Sequence, residues 1–237
     1  MKQNALWLLL VVPAVVSATG NMAVLETNYE VRAGYQNFDF GDAYSVDGRL
    51  TLPLLRYGGT SFFSGYGRFK GDNGSIDSDS YTVGGEVFIR DYKIGKLSAQ
   101  FRYRNTELDI PDNVVTVNDS ITTKNYRALG EYYYREFTLS ASRNYLNSEE
   151  SDNVKSWRVS GIAYINDNTG LRVFGSHSDN KTNYGFSIGH QPSVFHNSTQ
   201  ISLSYLDSGN NNDIYMVSLA YYFVKRPSLI DRDRKYR

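Results

Sequence analysis

From Thr27 onward apolar and polar residues alternate with a period of two, and clusters of Gly, Asn, Asp and Ser break the alternation about every seventeen residues. Successive side chains of a strand point to opposite faces, so this is a pattern of many short antiparallel strands. No stretch longer than ten residues carries a helical i, i+3, i+4, i+7 stripe. The alternation predicts twelve strands, near 27–36, 43–53, 60–70, 80–90, 95–106, 123–134, 136–146, 155–166, 170–178, 182–190, 197–206 and 213–223. Each is about nine to twelve residues long, longer than strands of soluble sheets and long enough to cross a bilayer at a tilt.

The connections alternate as well. Those after even-numbered strands are mostly short, whereas 71–79, 107–122, 147–154 and 207–212 are longer and more polar. Short turns at one end, long loops at the other and both chain ends on the short-turn side is the layout of a bacterial outer-membrane barrel. The last strand fits that layout. Tyr215, Val217, Leu219, Tyr221 and Phe223 share one face, with Tyr215, Tyr221 and Phe223 as aromatic girdle residues around an aliphatic middle. Leu97, Ala99, Phe101 and Tyr103 repeat the pattern against Ser98, Gln100, Arg102 and Arg104. A soluble β-sandwich also alternates, but with its polar face outward and with shorter strands. The predicted fold is all-β, a transmembrane antiparallel up-and-down β-barrel of about 12 strands.

Composition then removes other classes. The 237 residues carry 25 Lys+Arg and 25 Asp+Glu, which excludes a polybasic nucleic-acid binder on bulk charge. A mean hydropathy of −0.46, with one long apolar run near the start, excludes a bundle of transmembrane helices. There are 20 Tyr and 12 Phe, and no Cys, hence no disulfide, thiolate metal site or cysteine nucleophile. Lys2, the apolar run Ala5 to Val16, and Val16-Ser17-Ala18 read as a secretory signal peptide. With no Cys after the apolar run, a lipoprotein anchor is excluded. The predicted organisation is a signal peptide at 1–18, a barrel at 19–224 and a basic periplasmic tail at 225–237, with both mature termini periplasmic.

If the apolar face meets lipid, the other face lines a lumen. The inward charges on this parity are Arg32, Arg49, Arg68, Arg102, Arg104, Arg127, Arg158 and Arg172, against Glu30, Asp47, Glu86 and Glu131. All of these cations are Arg. A guanidinium stays ionised in confinement and pairs bidentately with carboxylate, sulfate or phosphate, so such a lining favours anions. The alternative is a polar plug, in which Glu30 pairs with Arg32 or Arg49, and Glu131 with Arg127 or Arg158. Twelve strands exceed the eight whose interior side chains can fill. The acids Asp72, Asp77, Asp79, Glu107, Asp109, Asp112, Asp119, Glu149, Glu150 and Asp152 fall in the long loops. Hard oxygen ligands suit Ca²⁺ or Mg²⁺ bridging lipopolysaccharide, but no EF-hand spacing is present and solvated loops are the simpler reading. Val114, Val115 and Val117 leave the longest loop either extending its hairpin or folding inward.

Other chemistry is sparse. His196 and Ser198 have the spacing of a same-face pair, as in outer-membrane phospholipases, but lie in a turn on the periplasmic side. No catalytic residue, metal ligand or cofactor motif is assigned. Fourteen residues follow Phe223, basic overall, and disorder is the expectation for so polar an end.

Twelve strands, no Cys, an Arg-rich lumen and the opening strand Tyr29-Glu30-Val31-Arg32-Ala33-Gly34-Tyr35 resemble the oligogalacturonate-specific porin family and its sialic-acid-porin relatives. The tail departs from that family. The resemblance implies a narrow barrel passing acidic sugars. The resulting expectation is a passive channel for small anionic solutes, with Arg102, Arg104, Arg127, Arg158 and Arg172 as selectivity residues. Its surroundings would be outer-membrane lipid and lipopolysaccharide, and the barrel-assembly machinery would engage its last strand. A non-conducting surface barrel binding lipopolysaccharide or a protein partner, and more remotely a lipid hydrolase, are the other readings.

Overall fold

In the computed structural model the residues described are 27–72, 76–109, 120–149, 153–178, 181–209, 213–223 and 227–236. The predicted signal peptide and Val114, Val115 and Val117 lie outside them. Twelve strands form: β1 (Asn28–Phe38), β2 (Gly41–Pro53), β3 (Gly58–Gly71), β4 (Asp77–Asp91), β5 (Gly95–Asp109), β6 (Ser120–Tyr134), β7 (Phe137–Ser148), β8 (Val154–Asn166), β9 (Thr169–Ser178), β10 (Lys181–His190), β11 (Thr199–Asp207) and β12 (Asp213–Tyr222). Each pairs antiparallel with its sequence neighbours, and β1 pairs with β12 from Glu30↔Tyr222 to Asn37↔Tyr215, closing the barrel. Closure leaves no sheet edge with unpaired backbone groups, the condition for a sheet to sit in lipid.

The strands differ from the expectation in length. β4, β5 and β6 run to 15 residues each. Asp77, Asp79, Glu107 and Asp109 consequently belong to strands rather than loops, because the hairpins continue to pair past the apolar band.

The period-two signal becomes two faces. Val46, Phe62, Val83, Val87, Ile89, Leu97, Leu139, Val159 and Leu203 point outward and are each at least half exposed. So continuous an apolar surface is one that lipid covers. Aromatic pairs ring the outside toward the long-loop end: Tyr35–Tyr44, Tyr66–Tyr81, Phe101–Tyr126 and Phe186–Tyr205, with centroids 5.2–5.5 Å apart. Tyr215, Tyr221 and Phe223 also stand outward, and Tyr221 meets Phe223 edge-on at 4.8 Å.

The tail is the largest departure from the sequence reading. It re-enters the barrel at the short-turn end, as a short helix at Leu229–Asp231 that runs on as a π turn over Arg232–Tyr236. Ser228 Oγ accepts a hydrogen bond from the Asp231 amide, and Lys235 pairs with Asp231 at 2.7 Å. Polarity predicted disorder, but the polar groups find partners around the rim. Arg232, with no exposed surface, donates to Asn197 O at 2.7 Å and lies 3.3 Å from the Tyr222 ring centroid. Tyr164 donates to Asp233, Arg234 donates to Phe137 O, Ile230 N donates to Asp167 O and Asn28 donates to Tyr236 O. Leu229 is buried. These contacts reach β1, β7, β8, β12 and two turns, so the helix spans the mouth.

Candidate functional site: the barrel lumen

Ladder register assigns each charged side chain to a face. Glu30 and Arg32 on β1, Asp47 and Arg49 on β2, Glu86 on β4, Arg102 and Arg104 on β5, Arg127 and Glu131 on β6, Arg158 on β8 and Arg172 on β9 all stand inward. Arg68 does not. It pairs in register with Tyr44 and Asp79, shares the face of Phe62 and Tyr66, and lies 3.9 Å from Asp79. The expectation that Arg68 lines the lumen is therefore corrected. On β3 the inward positions leading up to it include Gly65 and Gly67, which carry no polarity signal, and Phe62-Phe63 is apolar on both faces.

Two inward cations are additional, Arg90 on β4 and Lys96 on β5. Lys96 also corrects the expectation that every lumen cation is Arg. Both share parity with Glu86 and Arg102, so the period itself contained the signal.

The short-turn end of the lumen is packed. Glu86 pairs with Lys96 at 2.6 Å and Arg49 at 3.4 Å, and all but Arg49 are nearly fully buried. Thr51 and Ser61 share a hydrogen bond at 2.9 Å with no exposed surface. Tyr133 donates to Glu131 and Tyr222 to Gln200. Of the pairings expected for a plug, Glu30–Arg32 forms at 3.5 Å, whereas Arg49 goes to Glu86 and Glu131 goes to a tyrosine.

From the waist toward the loop end the arrangement changes. Among the described residues Arg102, Arg104, Arg127, Arg158 and Arg172 form no ion pair. They are held in other ways. Phe63 lies flat over Gly84, where an added methyl would collide with the ring, and Arg49 and Arg102 each sit 5.3 Å from that ring's centroid. Phe174 lies over Gly185 in the same manner, with Arg158 at 3.9 Å. A ring face holds a guanidinium through its quadrupole and consumes no N–H donor, so the planar fork remains available to a ligand. The Nε of Arg127 is buried and makes no hydrogen bond within the protein.

The lining is also lopsided. β10, β11 and β12 contribute Ser187, Ser202, Ser204, Ser218 and Gln200 around a cavity of about 190 Å³, floored by Leu229 and Asp233 of the tail. A second cavity, of about 230 Å³, holds Arg127, Arg158 and Arg172 beside the packed cluster, with Glu86, Glu131 and Asp233 also on its wall. A third, of about 520 Å³ toward the loop end, is bordered by Arg32, Asp47, Phe63, Arg102 and Arg104. Guanidiniums on one wall and hydroxyls on the other can bind a solute that carries both carboxylate and hydroxyl groups.

At the remaining candidate, Ser198 donates its hydroxyl to Phe195 O at 2.6 Å inside a tight turn, and His196 sits at positive φ. That hydroxyl is engaged by its own turn rather than by the imidazole. Among the described residues no group of His, Cys, Asp and Glu is placed to hold a metal.

No protein-family model matches the chain, and no curated protein is similar to it in sequence. Solved structures are similar in fold. A KdgM porin in complex with disordered oligogalacturonate superposes with a TM-score of 0.58 at 4% identity, over 82% of this chain and 99% of that one. An outer-membrane channel from Pseudomonas putida F1 gives 0.63 at 11%, over 88% and 100%. The translocator domain of the autotransporter NalP from Neisseria meningitidis gives 0.56 at 14%, over 83% and 89%. At such identities the likeness is one of architecture, and the chain resembles all three as a closed β-barrel of the outer-membrane kind.

Proposed function

We propose that this protein is a channel of the Gram-negative outer membrane for passive diffusion of small anionic solutes, with acidic oligosaccharides as the favoured class. One observation carries the reading: five inward Arg that form no ion pair among the described residues face a wall of hydroxyls. The KdgM porin solved with oligogalacturonate is in keeping with that chemistry. On this reading Arg102, Arg104, Arg127, Arg158 and Arg172 select anions, Arg49, Glu30, Glu86 and Glu131 set the shape and charge of the narrow end, and Arg32 and Asp47 border the wider cavity beyond it. The long loops face the exterior, both mature ends face the periplasm, the Tyr215, Tyr221 and Phe223 girdle seats the barrel in lipid, and the last strand is the handle for the barrel-assembly machinery.

The test is planar-bilayer recording in a KCl gradient, on the full chain and on a chain ending at Phe223. A reversal potential favouring Cl⁻, with current reduced by oligogalacturonate and not by neutral oligosaccharide, supports the reading. Preference for K⁺, or no current in either chain, overturns it. The packed tail end favours a second reading, a barrel that conducts nothing, and the shortened chain separates the two.

A further inference from the structure

The outward surface carries charge as well, and its two sides differ. On one side the girdle tyrosines donate to acids: Tyr35 to Asp42 at 2.7 Å, Tyr66 to Asp79 at 2.6 Å and Tyr205 to Asp213 at 3.0 Å. On β6, β7 and β8 the outward positions include Lys124, Arg143 and Lys155 and no Asp or Glu among the described residues. None of the three cations forms an ion pair there.

Register places them together. Lys124 faces Asn147, Tyr126 faces Tyr145, which faces Lys155, and Ala128 faces Arg143, which faces Trp157. Neighbouring strands lie about 4.8 Å apart and residues rise about 3.4 Å each along a strand, so Lys124 and Arg143 are roughly 14 Å apart with Lys155 between them in height. Directly beneath Arg143, toward the barrel's middle, an outward trough of about 750 Å³ runs over Ala99, Ala128, Gly130 and Ala141, walled by Leu97 and by Trp157. The outward side chains that line the trough are apolar except for Arg143 at its head.

We propose that this face binds a phosphorylated, multiply acylated glycolipid of the outer leaflet, its phosphates on Lys124, Arg143 and Lys155 and an acyl chain in the trough. The ligand has to be anionic because the cations are unmatched, and amphiphilic because they stand at the head of an apolar trough on a lipid-facing wall. It has to carry more than one phosphate, because one phosphodiester does not span the cluster. The proposal rests on the outer-membrane reading with the long loops outside, but on neither conduction nor selectivity.

The experiment is native mass spectrometry of delipidated protein titrated with bisphosphorylated lipid A, with phosphatidylglycerol as competitor. The full chain should retain lipid A in preference. The triple variant Lys124→Ala, Arg143→Ala, Lys155→Ala should bind it about a hundredfold more weakly, since each basic residue near an anionic surface contributes about 1 kcal/mol and about 1.4 kcal/mol is tenfold in affinity. Ala128→Trp, which fills the trough and leaves every charge in place, should weaken it too, while Arg68→Ala should not. Equal retention of lipid A and phosphatidylglycerol, or undiminished binding by both the triple variant and Ala128→Trp, overturns the proposal. Bilayer currents of the same variants should match the full chain, so failure of lipid binding is distinguishable from failure of the channel reading.

Discussion

Toward the tail end, Glu86 is enclosed between Lys96 and Arg49, Thr51 and Ser61 are fully buried, and Arg232 is stacked on Tyr222. From the waist to the loop end, Arg102 and Arg158 lean on phenylalanine rings and Arg104 on a threonine, and among the described residues these three, Arg127 and Arg172 form no ion pair. The same alternating strands build both regions. The difference lies in whether each inward cation closes onto an acid as an ion pair: where it does, the interior packs as a core, and where it does not, a cavity remains beside it. In a barrel, charge pairing thus controls aperture as much as strand number does.

The comparison can be broken most directly at the tail. Ending the chain at Phe223 removes the element that spans the mouth, and single-channel conductance should rise several-fold in planar bilayers. An unchanged conductance would mean that the tail does not limit the passage. Next, Glu86→Gln strands two cations in the packed end. Removing one partner of a buried pair costs about 3–5 kcal/mol, so the urea midpoint of the barrel in lipid should fall clearly. The double variant Arg127→Ala, Arg158→Ala in the receptive region should do the reverse, leaving the midpoint nearly unaltered and moving the reversal potential several-fold toward equal permeability of Cl⁻ and K⁺. Gly185→Ala changes no charge, yet pushes Phe174 from beneath Arg158. It should reproduce part of that selectivity loss, which separates the placing of the guanidinium from its charge. Smallest of all, Arg68→Ala should leave the reversal potential where it was, because Arg68 faces outward beside Asp79.

Much of the barrel was legible because its one rule, alternation, is local. All twelve strands come within a few residues of their predicted bounds. Parity failed where the sequence offers nothing to read it by: Phe62-Phe63 and the glycines at 65 and 67 hid which face Arg68 takes. Arg90 was readable from Glu86 and Lys96 from Arg102 by steps of two along their strands, but their nearness to a three-residue turn disguised them. The phenylalanine-over-glycine pairs were not legible, since Phe63 meets Gly84 and Phe174 meets Gly185 only once adjacent strands settle their register. The tail was illegible for a related reason. Its polar groups are satisfied by backbone carbonyls and tyrosines from strands far apart in the chain, and composition averages see only the polarity.

The tail's contacts also carry a timetable. The barrel becomes edgeless only when the first strand meets the last, and the terminal helix touches both sides of that seam, through Asn28 on β1 and Tyr222 on β12. Its resting place does not exist until the circle is complete. Docking of the tail therefore follows closure of the barrel. A chain whose seam stays open has nowhere to put those residues and exposes them to proteolysis, so resistance of the C-terminus to a protease reads out, chain by chain, whether the barrel has closed.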